Sequence, residues 1–425
     1  MLELVALLLA LTAALAFVNA RFLRLPQAIG LLIVALASAS LLKLAAVLGV
    51  VDIEPVVRYV RAIDFRETLV DGMLGLLLFA AALHVDTATL REQVRPVVFL
   101  ATVGVVLCAL IIAAGVLLLA PLFGLTVPVL WALAFGILLA PTDPIAVGAL
   151  LKKAGVPAAL QKTIIGESLF NDGVGVVLFL AVLGALSAGG LPDPGSIGRL
   201  LAIEVGGGLA FGLALGWIAV RLLQQIDDYQ VEILLTLAFA FAGFTLARHL
   251  HVSGVLGMVV LGLAIGRQQG GGTVVSARTK QRLDEFWELV DEFLNATLFV
   301  LIGVEVLILD LQHAALAFGL ALIPTGLAAR WLSVVGALAP LRGRLRGWPR
   351  GSIPLLTWAG VRGGISIALA LALPAGEARM PILTATYIVV VFSIVVQGLT
   401  VGAVATRLLP STRGAVESST SVTHA

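Results

Sequence analysis

Ala140-Pro141-Thr142-Asp143-Pro144 and, one candidate helix later, Gly166-Glu167-Ser168-Leu169-Phe170-Asn171-Asp172-Gly173 decide how this sequence is read. Both runs lie within apolar stretches long enough to cross a bilayer, which takes about 20 helical residues. Each places a carboxylate there. An acid at membrane depth costs several kcal/mol unless it is paired, hydrated or protonated, so Asp143 and Asp172 read as functional. They point to a chain that moves cations or protons.

Composition agrees. Of 425 residues, 60% are hydrophobic and 12% charged, and the mean hydropathy is +1.10. A soluble domain has about half apolar residues and about a quarter charged, so the class is an all-α polytopic membrane protein whose partner is the lipid bilayer. A net charge of +2 gives no reason to expect a nucleic-acid partner. Cys108 is the single cysteine, which excludes an intrachain disulfide or a cysteine metal cluster. No nucleotide-binding motif is present to drive an ATP-powered pump, and no cofactor is implied.

Spans of about 20 residues give about thirteen candidate helices, at 2–20, 26–48, 68–85, 96–120, 127–152, 160–188, 197–223, 230–248, 252–267, 291–309, 314–339, 352–374 and 382–408. Met1-Leu2-Glu3 lacks the basic start of a cleavable signal peptide, so residues 2–20 read as a retained helix. Segments 52–67 and 275–290 read as amphipathic and interfacial, Gln268–Thr273 as a flexible connection, and 409–425 as a short disordered tail after a transmembrane domain spanning 1–408. Segments after odd-numbered helices hold 18 basic residues and those after even-numbered helices 7. The positive-inside rule then puts the N-terminus outside and the C-terminus in the cytoplasm of a cell membrane.

Two candidate helices are interrupted. Pro141 and Pro144 bracket Thr142-Asp143 in the fifth, where proline removes backbone donors and leaves carbonyls free. Gly360, Gly363 and Gly364 surround Arg362 in the twelfth. These positions correspond if helices 1–6 and 8–13 are inverted repeats, and paired broken helices mark a transporter's midplane site.

These residues carry a family resemblance. The Ala-Pro-Thr-Asp-Pro and Gly-Glu-Ser-Leu-Phe-Asn-Asp-Gly runs, His251-Val252-Ser253-Gly254-Val255-Leu256, Leu298-Phe299-Val300-Leu301-Ile302-Gly303 and Ala359-Gly360-Val361-Arg362-Gly363-Gly364 occur in one order along nearly the whole chain. Together they resemble branch one of the monovalent cation:proton antiporters, which includes the NhaP-type exchangers and the eukaryotic sodium/proton exchangers. The resemblance implies a homodimer that serves pH homeostasis. It implies that Asp172 alternates between a proton and the cation, with Asn171 beside it. Asp143, the Thr142 carbonyl and Ser168 would complete the site for transported sodium, and Glu167 would pair with Arg362. In this family the Asn-Asp form is generally electroneutral, so Asn171 favours one cation for one proton. One departure stands out: relatives often carry a third-helix acid after Leu-Leu-Phe, whereas Leu77-Leu78-Phe79 is followed by Ala80, Ala81 and Ala82, and the nearest acids are Asp71 and Asp86.

The chemistry supports those roles independently. Hard cations take oxygen ligands, and a carboxylate removed from water holds its proton more tightly until a cation arrives. Bland readings stand beside the sharp ones: Asp143 as a helix cap, Glu167 and Arg362 as a structural pair, Arg330 as a brace against a neighbouring carbonyl, and Glu305 as a cap or a snorkelling group near a helix end. His84, His249, His251 and His313 read as solvated, and Gly208, Gly212 and Gly216 as a close-packing stripe. The alternatives are potassium/proton exchange, a passive cation channel, or an intramembrane aspartyl protease. The protease would carry Gly-x-Gly-Asp, where this chain has Leu169-Phe170-Asn171 before Asp172. A non-enzymatic transporter is therefore expected.

Overall fold

The computed structural model describes residues 2–62, 72–85, 87–143, 145–188, 194–270, 277–309, 312–343, 345 and 348–409. Pro144, Asp71, Asp86, residues 63–67 of the expected 52–67 segment, residues 271–273 of the 268–273 connection and the tail beyond 409 lie outside them. Within the described residues the fold is helical, without strands. Among the described residues, eight helical stretches have the length and composition to cross a membrane: Ala6–Leu23, Gln27–Val47, Val94–Phe123, Ala158–Ser187, Gly198–Leu223, Tyr229–His249, His313–Leu341 and Arg379–Leu408. Leu74–Leu83, Val129–Leu139 and Gly254–Arg267 are shorter apolar helices. Helices suit these sequences because hydrocarbon offers backbone N–H and C=O groups no partner, so each segment must satisfy its own. Exposed Leu213, Trp217, Leu234 and Phe241 are the corresponding lipid-compatible surface.

The two expected interruptions are present and they meet. The Val129–Leu139 helix gives way to non-helical backbone at 141–143 before Ile145–Lys153 resumes. The Ser352–Trp358 helix likewise gives way at 360–363 before Gly364–Leu371. The Asp143 amide donates to the Val361 carbonyl at 2.7 Å, stitching one break to the other. Each break thereby supplies a backbone partner that its own helix has lost.

The 275–290 segment departs from expectation. From Ala277 it runs without interruption into the candidate helix at 291–309, making a single helix Ala277–Val304 instead of lying apart on the membrane surface. Its apolar face has a protein partner: Leu283 and Trp287 are buried, Trp287 stacks edge-on against Phe79 at 4.6 Å, and its Nε1 donates to Thr236 Oγ1 at 3.0 Å. Amphipathicity here reports a helix docked on the bundle, with Arg282, Glu285 and Glu288 left on the exposed side. The Gly254–Gly270 helix also extends through Gln268–Gly270.

The glycine stripe is used within the chain. A methyl group on Gly208, Gly212 or Gly216 would strike Ser253, the Gly257 carbonyl and Val260, or Ala264, all on or beside the Gly254–Gly270 helix. On its other side that helix lays Gly262 and Gly266 against the Phe79 and Leu83 carbonyls of Leu74–Leu83. Glu305 does not snorkel: it is buried at the start of the short Glu305–Leu307 turn, within the electrostatic reach of Arg379. His84, His249, His251 and His313 are exposed, as expected.

Candidate ion-binding site

The 158–188 helix passes the crossing of the two breaks, and glycine allows the approach. A Cβ on Gly175 would collide with the Pro141 ring, and one on Gly173 with Leu256. Ser168 and Asp172 are four residues apart and so share a helix face, and Glu167, Ser168, Asn171 and Asp172 are all buried.

Thr142, in the first break, is tied to this helix on two sides. Its Oγ1 lies 3.0 Å from Ser168 Oγ and accepts from Asn171 Nδ2 at 2.9 Å. Its amide donates to Asn171 Oδ1 at 3.4 Å. Asn171 thus bridges the side chain and backbone of one unwound residue, which an aspartate could not do. Asp143 is 8% and Asp172 5% exposed, and each acts on the other's charge. Gly363, from the second break, closes over Asp143: a Cβ there would overlap Asp143 Cβ and Oδ2. The expected cluster of Thr142, Asp143, Ser168, Asn171 and Asp172 is therefore assembled at one place, offering two carboxylates and several neutral oxygens. The Leu74–Leu83 helix contributes no acid, and Ala80 and Ala82 are buried.

The ion pair is not the expected one. Glu167 is held by Arg330, not by Arg362: Arg330 Nη1 donates to Glu167 Oε1 and Nη2 to Oε2 at 2.9 Å, a two-pronged pair with both residues buried. Arg330 Nη2 also reaches the Leu356 carbonyl at 3.3 Å, which accords with the brace its position suggested. Arg362 instead turns to the other break, where Nη1 donates to the carbonyls of Ala140 and, at 3.1 Å, of Pro141. The physical reason is the broken helix. Interrupting Val129–Leu139 strands carbonyls at its C-terminal, negative end, and a guanidinium satisfies both the hydrogen bonds and the dipole. Arg362 is a clasp between the breaks.

Sequence reading passed over Ser393 and Gln397. The helix beginning at Arg379 widens into a π-type bulge at Ser393–Gln397, a feature that recurs at functional sites. Ser393 Oγ accepts the Arg362 amide at 2.8 Å and donates to Gln397 Oε1, and Gln397 Nε2 donates to the Trp358 carbonyl at 3.0 Å. The bulge therefore satisfies backbone that the second break leaves exposed. The available signal was a buried-type polar pair, Ser393 and Gln397, within an otherwise apolar run.

A family model described as "Sodium/hydrogen exchanger, transmembrane" matches residues 7–407. The chain is 45% identical over 413 residues to the Na(+)/H(+) antiporter NhaP of Pseudomonas aeruginosa, covering 96% of this chain and 97% of that relative. It is 33% identical over 401 residues to the Na(+)/H(+) antiporter NhaH of Halobacillus dabanensis, covering 90% and 91%. Among solved structures, the sodium proton antiporter MjNhaP1 from Methanocaldococcus jannaschii is similar in fold, with a TM-score of 0.74 at 19% identity over 96% of this chain and 99% of that one.

Proposed function

The chain belongs to the sodium/hydrogen exchanger family, and we propose that it exchanges sodium for protons one for one, by competition of the two at Asp172. The observation that carries this reading is the convergence of Asp172 and Ser168 with Thr142 and Asp143 at the crossing of two broken helices. Two carboxylates within reach of each other's charge repel strongly where the dielectric is low. A cation seated against them removes that repulsion, and so does a proton. Because either occupant suffices, the site holds one or the other, and a protein that presents it alternately to both sides of the membrane couples their gradients.

Asn171 supports the one-for-one stoichiometry. It sits next to Asp172 as a neutral side chain whose amide is committed to Thr142, so it has no proton to trade. The distribution of basic residues supports a cell-membrane orientation with the N-terminus outside and the C-terminus in the cytoplasm.

The test is transport by the purified protein in liposomes. An imposed pH gradient is read by fluorescence dequenching on adding lithium, sodium, potassium or rubidium. Sodium should collapse the gradient saturably, and Asp172→Asn, which keeps the size and hydrogen bonding of the side chain, should not respond. Dequenching that persists in Asp172→Asn would remove that residue from its role. A response to potassium in preference to sodium would reassign the cation.

A further inference from the structure

The peptide group between Val361 and Arg362 is held at both ends. Its carbonyl accepts the Asp143 amide at 2.7 Å, and its N–H donates to Ser393 Oγ at 2.8 Å. A peptide group is planar and turns as one unit, so the two bonds are coupled. Whatever moves the Ser393 hydroxyl also tilts the carbonyl that holds the Asp143 backbone. The chain at 360–363 is not helical, so the orientation of this unit depends on these outside partners rather than on a helical ladder.

The hydroxyl is itself fixed by the bulge at Ser393–Gln397. Ser393 donates its proton to Gln397 Oε1, which leaves a lone pair facing the Arg362 amide. Gln397 Nε2 donates to the carbonyl of Trp358, the last residue of the first half-helix. One amide side chain therefore sets the hydroxyl and anchors the end of Ser352–Trp358 together. Ser393 is 1% and Gln397 3% exposed, and hydrogen bonds in series polarise one another in such surroundings. A second tie between the same elements lies outside the break, where Trp358 Nε1 donates to Thr400 Oγ1 at 3.0 Å.

We propose that Ser393 and Gln397 are positioning residues of the ion site, acting on Asp143 through the 361–362 peptide without touching the ion. The proposal rests on the exchanger function proposed for this chain. Arg362 tightens the coupling: the residue whose amide meets Ser393 also clasps, through its guanidinium, the Ala140 and Pro141 carbonyls just before Asp143. The two breaks thus share one point of registration, and Ser393 sets it. Without the hydroxyl, the Arg362 amide is buried with no acceptor, a loss large enough to draw the backbone towards another partner. Asp143 moves with it, and the affinity for sodium falls because the oxygens of the site no longer converge.

The experiment measures the half-saturating sodium concentration for exchange in proteoliposomes for the wild type, Ser393→Ala, Ser393→Thr, Gln397→Met, Thr400→Val and Asp172→Asn. Sodium affinity is also read on the purified protein from the rise in unfolding temperature that sodium produces, so a variant too slow to transport is still scored. Ser393→Ala and Gln397→Met should each raise half-saturation about three- to tenfold, the equivalent of one neutral hydrogen bond. Ser393→Thr keeps the hydroxyl and should stay within about twofold of the wild type, as should Thr400→Val, which removes a hydrogen bond between the same elements but away from the peptide. A pair that only stabilised the bundle would lower the sodium-free unfolding temperature and leave half-saturation unshifted. That result overturns the proposal, and so does a shift in Thr400→Val or Ser393→Thr as large as that in Ser393→Ala. Should Ser393→Ala fail to fold, the same criteria apply to Gln397→Met. A wild type that exchanges no alkali cation overturns the exchanger reading itself. A wild type that is active, with Asp172→Asn silent and Ser393→Ala unshifted, overturns the positioning role alone.

Discussion

Glu167 and Arg330 grip each other with two parallel hydrogen bonds inside the bundle, although they are 163 residues apart in sequence. The pair joins the helix that carries Asp172 to the one that braces the second break through the Leu356 carbonyl. Removing one partner leaves the other as an unpaired buried charge, which costs about 3–5 kcal/mol, whereas removing both together is far milder. Arg330→Gln should therefore lower the folded yield and the thermal unfolding temperature sharply. The double variant Glu167→Gln with Arg330→Gln should recover much of that loss. Additive losses in a double-mutant cycle, read by thermal unfolding in detergent, would mean that the two side chains act independently.

Gly363 is a glycine for space, not for conformation. Its φ of −105° and ψ of −168° suit any residue, but a Cβ would overlap Asp143. Gly363→Ala should displace the Asp143 carboxylate while both half-helices persist. Overpacking costs about 1–3 kcal/mol, which a folded bundle can absorb. A misplaced ligand is less forgiving: a shift of about 1 Å in a site can cost on the order of a hundredfold in rate. The expected outcome is normal expression and size-exclusion behaviour with exchange reduced at least tenfold. Wild-type exchange by this variant would show that Asp143 need not stand where Gly363 allows it.

Much of the fold was legible because membrane depth imposes a simple grammar. The apolar runs marked the helices, and the proline and glycine groups around Thr142-Asp143 and Arg362 marked both breaks. Asp143 and Asp172 were conspicuous for being acids among apolar residues. Choosing which arginine meets Glu167 was beyond that grammar. Arg330 and Arg362 are both single cations in apolar runs, and only the three-dimensional crossing assigns one to a carboxylate and the other to the stranded carbonyls of Ala140 and Pro141. The continuous 277–304 helix was missed for a related reason. An amphipathic segment looks the same whether its apolar face meets lipid headgroups or, as Trp287 does, Phe79 and Thr236. The bulge at Ser393–Gln397 leaves no periodic trace at all.

Ser168 offers a graded test of the site. Its hydroxyl lies 3.0 Å from Thr142 Oγ1 and one turn before Asp172, so it can supply a neutral oxygen to a bound cation but no charge. Losing one neutral polar contact costs about 0.5–1.5 kcal/mol, equivalent to a few-fold to about tenfold in affinity. Ser168→Ala should raise the half-saturating sodium concentration by that amount and retain exchange, where Asp172→Asn abolishes it. Sodium titrations in proteoliposomes separate the two. Loss of all transport in a folded Ser168→Ala protein would mean that Ser168 positions the first break through Thr142 instead of contacting the ion.

Stoichiometry exposes the proposed exchange most directly. If Asp172 alone exchanges its proton, with Asn171 neutral and committed to Thr142, each cycle moves one positive charge in either direction and the membrane potential has no leverage. A net elementary charge crossing the membrane would be worth about 2.3 kcal/mol per 100 mV, so even fractional electrogenicity would displace the balance point measurably. In proteoliposomes with sodium and proton gradients set to balance for one-for-one exchange, clamping the potential at several values with potassium and valinomycin should leave net flux at zero. Asn171→Asp provides the contrast. It places a second acid beside Asp172 and removes the amide that donates to Thr142, so if the variant folds and transports, its balance point should move with voltage. A wild-type null point that moves would mean that another carboxylate already trades a proton in each cycle. Asp143, within reach of Asp172's charge, would be the one to replace next.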